Sequence, residues 1–351
     1  WGADIVVGST QRFGIPMGYG GPSAAYMSTR EEYKRNIPGR IIGVTVDAQG
    51  HKALRLALQT REQHIKREKA SSNICTATAL NATMAGFYAV YHGREGLERI
   101  ARHIHSAAVI LAEEIQKYGY LLKADKFFDT LRFELPQGVT AEAIRDKALE
   151  NKINLHYCGS CCNGAVGLST DEKINEEEIN TIIRIFAEVA GKKAEKAEFL
   201  DDRTVLEPEM LRDDDFLEEP VFNLYHSETA LMRYMKNLER RDISLATSMI
   251  SLGSCTMKLN AAVEMLPLSW PEFGSIHPFV PESQAEGYRQ MIQETQDMLA
   301  KVTGFAGCSL QPNSGAAGEY ASLMVIRQYH LSRGEGHRNI MLIPASAHGT
   351  N

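Results

Sequence analysis

The sequence predicts a mixed α/β fold, on three observations. Strand-like runs alternate with helical runs at both ends of the chain, the middle combines short strands with amphipathic helices, and a charge-rich stretch follows that middle part. At 351 residues the chain has room for more than one domain. We predict four parts, which are residues 1–70, 71–195, 196–228 and 229–351.

The first part is predicted to be the end of a large α/β domain. Residues 4–8 form an apolar run typical of a buried strand, and residues 24–27 form a second strand. Between them, residues 18–22 are rich in glycine, which indicates a turn with positive φ angles.

Residues 71–195 predict a small α+β domain. Helices are expected at 76–92, along the periodic residues from Ile100 to Ile115 with a stop at Gly119, and at 171–190. The alternating or short apolar runs predict strands at 130–135, 153–157 and 164–168.

Residues 196–228 are charge-rich and show little periodicity. This composition favours a solvated linker or an arm on the surface, with an acidic binding patch as the alternative.

The last part predicts helix, loop, helix and strand in the order of a doubly wound parallel sheet, where ligands gather near strand ends. The expected elements are a helix at 228–245, a helix opened by a capping box of Ser283 and Glu286 and closed by Gly304, a helix after Ser314, and a strand at 339–343.

Composition excludes some classes of function. The net charge of −6 argues against nucleic acid as the main partner, and no apolar run reaches the length of a membrane span. Trp1 starts the chain without a targeting segment, so we expect both ends to belong to a longer protein, cytoplasmic in a bacterium or mitochondrial in a eukaryote.

The six cysteines do not predict a metal site. Cys158, Cys161 and Cys162 cluster, but a zinc site needs four ligands in spaced pairs, and His156 is the only close histidine. Reduced thiols in a small-residue turn are the expected state.

Two motifs near the C-terminus carry the chemistry. Residues 313–318, with Ser314, Gly315 and Ala316, have the small and hydroxyl side chains of an anion cradle at a helix N-terminus. His348 follows the next predicted strand and is placed to stack on a planar ring held by its phosphate. Taken singly, the first motif is more typical of a capped helix packed on a strand, and the second of a histidine hydrogen-bonded at a surface turn; the two in this order indicate more than either alone.

A third motif, residues 253–260, contains Thr256, Lys258 and Asn260 in a loop that we expect to border a pocket. Lys258 is the best local candidate for a lysine that forms a Schiff base with a carbonyl group, a role that would require burial and a lowered pKa of its amine. Arg61, His64 and Arg67 form either a solvated face or an anion-contacting strip.

The chain resembles the glycine cleavage system P-protein family. The resemblance runs through the whole sequence, and its longest strings are residues 58–70, 72–76, 211–214, 225–229, 252–260, 270–273, 311–320 and 343–351.

The resemblance implies two homologous halves with the fold of the fold-type I transferases that depend on pyridoxal 5'-phosphate (PLP), of which only the second half binds the cofactor. This chain would hold incomplete large-domain sheets of both halves and the small domain of the first. Counting back from Ile15 and Pro16 puts Gln11 where the active copy has its lysine. Gln11 cannot form a Schiff base, so residues 18–22 are expected to be scaffold.

The resemblance also implies the reaction and the site. PLP-dependent decarboxylation of glycine would pass an aminomethyl group to the lipoyl arm of H-protein. Ser314, Gly315 and Ala316 would hold the phosphate, His348 would stack on the ring, and Thr256 and Asn260 would line the substrate pocket.

The Schiff-base lysine would lie beyond Asn351, so no catalytic residue is expected within the chain, which alone would be inactive and hold no PLP. Apolar sheet edges predict a homo-oligomer. Two alternatives stay open: a non-catalytic scaffold or dimerisation segment of a larger assembly, and an independent PLP enzyme that uses Lys258.

Overall fold

The computed structural model describes residues 2–37, 41–58, 69, 79–157, 164–241, 243–244, 247–249, 261–312 and 315–344. The chain divides into two compact units, one formed by residues 1–85 with 260–351 and the other by residues 86–259. Each unit contains both helices and strands, which confirms the mixed α/β class. Within the described ranges, no helix is both long and apolar enough to cross a bilayer.

The helices confirm most of the helical predictions. In chain order they are α1 (Ala79–Gln116), α2 (Ala141–Glu150), α3 (Glu176–Val189), α4 (Glu228–Glu239), α5 (Ala262–Met265), α6 (Pro271–Gly274), α7 (Glu286–Thr303) and α8 (Gly315–Ser332). Helix α7 ends as predicted at Gly304, whose φ of 75° is left-handed. The capping box predicted for α7 is wrong, because Ala285 is the N-cap and Ser283 lies in a preceding 3-10 turn.

The first unit carries two antiparallel strand pairs, which are β1 (Ile5–Ser9) with β2 (Ala25–Thr29), and β3 (Ile41–Val46) with β4 (Lys52–Leu58). The two predicted strands are confirmed, but the predicted burial is wrong, since Ile5 and Val7 are 53% and 68% exposed. A two-stranded ribbon has no second layer to cover its faces.

The hairpin of β3 and β4 was missed by the sequence analysis, although its turn has a recognisable cause. The carboxylate of Asp47 accepts hydrogen bonds from the backbone N–H groups of Gln49 (2.8 Å) and His51 (2.9 Å). Gly50 supplies the positive φ of 82° that the turn needs.

The expected strand at 339–343 is not formed among the described residues. Its side chains are exposed, with Ile340 and Leu342 at 86% and 92%. A strand exists only with a hydrogen-bonded neighbour, and the strand pairs within the described residues are all antiparallel and lie elsewhere.

The second unit is built on a four-stranded antiparallel sheet of order β5-β6-β8-β7. Its strands are β5 (Leu121–Leu122), β6 (Thr130–Glu134), β7 (His156–Tyr157) and β8 (Val166–Ser169). The later three confirm the predicted strands of the small α+β module. β6 alternates as expected, with Leu131 and Phe133 buried and the neighbouring side chains more exposed.

Helices α1, α2 and α3 supply the rest of the core of this sheet. Buried residues shared by these elements include Leu111, Ile115, Ile144, Ile179, Ile183 and Phe186, each at most 1% exposed. Tyr120 lies among them and donates its hydroxyl to the Phe186 carbonyl at 2.9 Å. Burial raises the pKa of Tyr120, so it stays a neutral hydrogen-bond donor.

Helix α1 joins what the sequence predicted as two helices. Gly93 breaks it with φ 59° and ψ −172°, angles that no other position of the helix adopts. A Cβ atom on Gly93 would lie 2.6 Å from the Phe222 carbonyl oxygen and 2.7 Å from His226 Cε1. The backbone angle and the close approach of residues 222–226 therefore both require glycine here.

We predict that Gly93→Ala lowers the free energy of unfolding by about 3 kcal/mol, because it adds backbone strain and a collision with the Phe222 carbonyl. Gly86→Ala is the matched control in the same helix, since its Cβ meets no atom within 4 Å. This control should stabilise by about 0.5–1 kcal/mol. Urea unfolding measures both, and an equal response of the two variants would contradict the argument.

Candidate functional site

The predicted anion cradle lies at the start of α8. The helix begins at Gly315, and a Cβ atom there would meet no atom of the described residues within 4 Å. A Cβ on Gly318 would come no closer than 3.8 Å to the Pro312 side chain. The first turn of a long helix presents N–H groups that lack intrahelical acceptors. The space at this terminus therefore suits the close approach of an anionic group such as phosphate.

The other predicted site residues lie outside the described residues. These are Ser314, His348, Thr256, Lys258 and Asn260, as well as Arg61, His64 and Arg67 and the cysteines 158, 161 and 162. The side chain of Ala316 is also outside them, although its backbone belongs to α8. Gly315 is thus the predicted cofactor contact that lies among the described residues.

The glycine-rich turn at residues 18–22 is not a second anion cradle, since its backbone N–H groups donate hydrogen bonds to carbonyl oxygens of the same unit. Gly18 N donates to the Gly274 carbonyl at 2.9 Å, and Tyr19 N donates to the Ile276 carbonyl at 2.8 Å. Gly20 N and Gly21 N both donate to the Met17 carbonyl. This agrees with the prediction that the turn is scaffold, because its N–H groups are not available to an anion.

The turn packs against α7 through an aromatic cluster that the sequence analysis missed. The ring of Tyr19 lies 4.8 Å from that of Tyr288, which is 5.8 Å from that of Phe273. Tyr288 donates its hydroxyl to the Phe273 carbonyl at 2.7 Å, and burial raises its pKa. Tyr19 has a φ of 56°, unusual for a residue other than glycine. The one signal for this in the sequence is a tyrosine between two glycines.

Metal binding finds no support in the described part of the chain. No group of three or more His, Cys, Asp or Glu side chains there could hold a metal ion. Cys308, the free cysteine within that part, is exposed.

Comparison with known protein families decides the family. The family model of the glycine cleavage system P-protein matches residues 1–186, more than half of the chain. The chain belongs to the glycine cleavage system P-protein family. The resemblance predicted from its motifs is thereby confirmed.

Individual relatives agree with this membership. The chain is 61% identical over 351 residues to the glycine dehydrogenase (decarboxylating) of Bacteroides thetaiotaomicron, and 56% identical over 350 residues to that of Christiangramia forsetii. Each alignment covers 100% of the chain, but only 37% and 36% of the relatives. The chain therefore spans little more than a third of the length of these P-proteins.

Two solved structures are also similar. A crystal structure of glycine decarboxylase (P-protein) of the glycine cleavage system, in inhibitor-bound form, is 33% identical, with a TM-score of 0.48 over 54% of this chain and 44% of that one. A C-DES mutant with glycine covalently linked to its PLP cofactor is 15% identical, with a TM-score of 0.32 over 49% of this chain and 43% of the other.

The aromatic cluster gives a local prediction. Tyr288→Phe removes the hydrogen bond to the Phe273 carbonyl, which is worth about 1 kcal/mol. We expect the amides of Gly18 and Tyr19 to exchange with solvent about five times faster, because the surface that holds the turn loosens. Tyr320→Phe, on the exposed side of α8, is the control and should leave these amides unchanged. Unaltered exchange of the Gly18 and Tyr19 amides in Tyr288→Phe would contradict this prediction.

Proposed function

We propose that this chain is part of a glycine decarboxylase. In this proposal the whole protein decarboxylates glycine with PLP and transfers the aminomethyl group to the lipoyl arm of H-protein. The observation that carries the proposal is the identity of 56–61% along the entire chain to the glycine dehydrogenases (decarboxylating) named above. Glycine and lipoylated H-protein are the partners that follow from it.

The residues that would hold the cofactor are those of the cradle. Ser314, Gly315 and Ala316 would bind the phosphate, and His348 would stack on the ring. The first turn of α8 supports the phosphate assignment, because no atom of the described residues lies within 4 Å of a Cβ placed on Gly315. When bound, PLP supplies an electron sink that allows carbon dioxide to leave the α-carbon of an amino acid.

The chain's own residues would bind and orient rather than react. The N-terminal end of the α8 dipole would favour the phosphate charge and so fix one end of the cofactor. Thr256 and Asn260 would line the pocket for glycine and the lipoyl arm. In this proposal the Schiff-base lysine belongs to a part of the protein outside this chain, and the chain alone would be inactive.

A non-catalytic scaffold or dimerisation role is the second candidate. It is favoured by the large apolar side chains exposed in the first unit, among them Val44 at 73%, Leu54 at 74% and Val302 at 85%. Exposed apolar surface of this extent is typical of contact regions.

A chimera tests the enzymatic proposal. We extend this chain before Trp1 and after Asn351 with the corresponding parts of the Bacteroides thetaiotaomicron relative. We expect glycine-dependent exchange of labelled carbon dioxide in the presence of lipoylated H-protein. The chain without the extension should give none. A folded chimera that binds PLP yet shows no exchange would overturn the assignment and favour the scaffold role.

Two variants of the chimera test the cradle. Gly315→Asp puts a carboxylate where the phosphate is expected, and we predict at least a roughly tenfold loss of PLP affinity by charge repulsion. Gly287→Asp is the matched control, since it also lies in the first turn of a long helix and its Cβ meets no atom within 4 Å. Equal PLP affinity in the two variants, measured by absorbance titration, would remove the cradle from the site.

The lysine alternative has its own test. The chain is incubated with PLP, reduced with borohydride and analysed by peptide mass spectrometry. We expect no stable adduct on Lys258, because no part of the proposed chemistry uses it. A stoichiometric adduct there would instead support an independent PLP enzyme.

A further inference from the structure

A segment of the second unit, residues 207–219, lies between two firmly held points of the chain. We call this segment the flap. Phe216 and Leu217 are half-buried, and every other residue of the flap is exposed. The position of the flap therefore depends on the few contacts that its side chains make and on how its two ends are fixed.

The end before the flap is fixed by buried hydrogen bonds. Ser106 of α1 is fully buried, donates its hydroxyl to the Arg203 carbonyl at 3.0 Å and accepts the Arg203 N–H, also at 3.0 Å. The Val205 N–H donates to Nε2 of His105 at 3.3 Å, and Lys126 Nζ donates to the Val205 carbonyl at 2.8 Å. Separation here would leave buried polar groups unpaired, which is costly. The chain therefore enters the flap from a fixed position.

The end after the flap is fixed at the break of α1. His226 Nδ1 donates to the Tyr91 carbonyl at 2.8 Å, and the His226 ring packs against Gly93. The neighbouring ring of Tyr225 stacks on that of Tyr234 in α4, with 4.3 Å between their centres. The flap is thus tethered to folded structure on both sides.

Between these ends the flap is held lightly. Its side chains make hydrogen bonds, ion pairs or ring contacts with other parts of the described unit at two places. Glu207 pairs with Lys126, and both side chains are exposed. Asp215 and Phe216 contact Arg94 of α1. Because an exposed ion pair contributes little to stability, Arg94 is the contact on which the middle of the flap depends.

The Arg94 side chain is oriented for this contact by its own helix. Its Nε lies 2.9 Å from Oε1 of Glu98, one turn further along α1. The guanidinium pairs with Asp215, and its Cζ lies 5.3 Å from the centre of the Phe216 ring. Arg212 of the flap places its Cζ 4.9 Å from the same ring. Two cations over one aromatic face give a cation–π contact in addition to the ion pair.

The backbone beside Phe216 is strained. Leu217 has a φ of 54°, which is unusual for a residue other than glycine. The side-chain amide of Asn223 donates to the carbonyls of Leu217 at 3.1 Å and Glu219 at 3.2 Å, and so supports this turn. A strained conformation persists only while its surroundings hold it, so the strain at Leu217 favours opening once Arg94 lets go of Phe216.

We propose that residues 207–219 are a hinged flap that Arg94 clasps, and that the flap opens while its two ends and the core of the second unit stay folded. Opening separates Arg94 from Asp215 and Phe216 and leaves it paired with Glu98. The contacts that break are exposed and electrostatic, so dissolved salt weakens the closed state. The buried hydrogen bonds at Arg203 do not share this dependence. The flap is therefore a conformational device that responds to ionic surroundings.

Limited proteolysis of the intact chain with thermolysin measures the opening, because cleavage of a locally opened segment follows the population of the open form. Thermolysin cuts before large apolar residues, which the flap offers at Phe216 and Leu217. Mass spectrometry at early times follows these cuts, and a free peptide of the flap sequence corrects for salt effects on the protease. Cuts before Leu131 and Phe133 of the buried strand β6 report unfolding of the unit and should be much slower.

Arg94→Gln should raise the flap cleavage rate about tenfold, because it removes both the ion pair and the ring contact. Arg102→Gln is the matched control, since Arg102 lies on the same helix and pairs with the same Glu98 carboxylate at 3.6 Å. It should change the rate by less than about twofold. Raising sodium chloride from about 0.05 M to about 0.5 M should speed cleavage roughly threefold in the unmodified chain and much less in Arg94→Gln.

A second pair of variants keeps the test valid if Arg94→Gln unfolds the unit, which faster cuts in β6 would reveal. Asp215→Asn should raise flap cleavage about threefold, whereas Asp213→Asn makes the same charge change two residues earlier and should not. Equal rates for Asp215→Asn and Asp213→Asn overturn the proposal, and so does flap cleavage in the unmodified chain that is no faster than cleavage in β6. Neither PLP nor glycine enters the test, so its outcome is independent of the proposed reaction.

Discussion

Helix α1 is interrupted by non-helical backbone angles at Gly93, and the second unit is arranged around that break. The half of the helix after the break enters the core with α2, α3 and the four-stranded sheet, while the break itself receives residues 222–226. A continuous helix would keep the Tyr91 carbonyl inside its own ladder. Beside the break that carbonyl accepts a hydrogen bond from His226 Nδ1 at 2.8 Å, so the backbone irregularity lies next to a point where residues 222–226 attach.

The two glycine-rich turns of the first unit differ in how their backbone donors are used. In residues 18–21 every N–H group donates to a carbonyl of the same unit, so the glycines serve backbone packing. At Gly315, a Cβ atom would meet no described atom within 4 Å at the helix terminus. Glycine content alone does not distinguish these cases; the position of the nearest carbonyl oxygens does.

The sequence predicted those elements whose cause is local. The heptad-like apolar spacing of residues 179–186 specifies α3, and the alternation of residues 130–134 specifies β6. Prediction from the sequence failed where an element or its burial depends on a partner that is distant along the chain. The apolar run at β1 was expected to be buried, yet burial depends on a covering layer, and the apolar run at 339–343 needed a neighbouring strand. Of the candidate site, Gly315 was correctly placed at the start of a helix. The contacts of His103 and His105 with residues 201–205 were missed, because two histidines at positions i and i+2 of a helix do not reveal which distant segment they meet.

Residues 201–226 contact helix α1 at several points, among them Ser106, Arg94 and Tyr91, and the length of this segment has a kinetic consequence. If residues 201–226 detached while α1 and α4 stayed folded, α4 would remain tethered by a flexible segment of about 26 residues, with a root-mean-square span of roughly 30 Å. Such a tether holds the free end at an effective concentration on the order of millimolar. Reattachment would then be a unimolecular search over a short distance, on a timescale of microseconds or less for loops of this size. Opening of this segment would therefore be a rapid, concentration-independent equilibrium rather than a slow unfolding event.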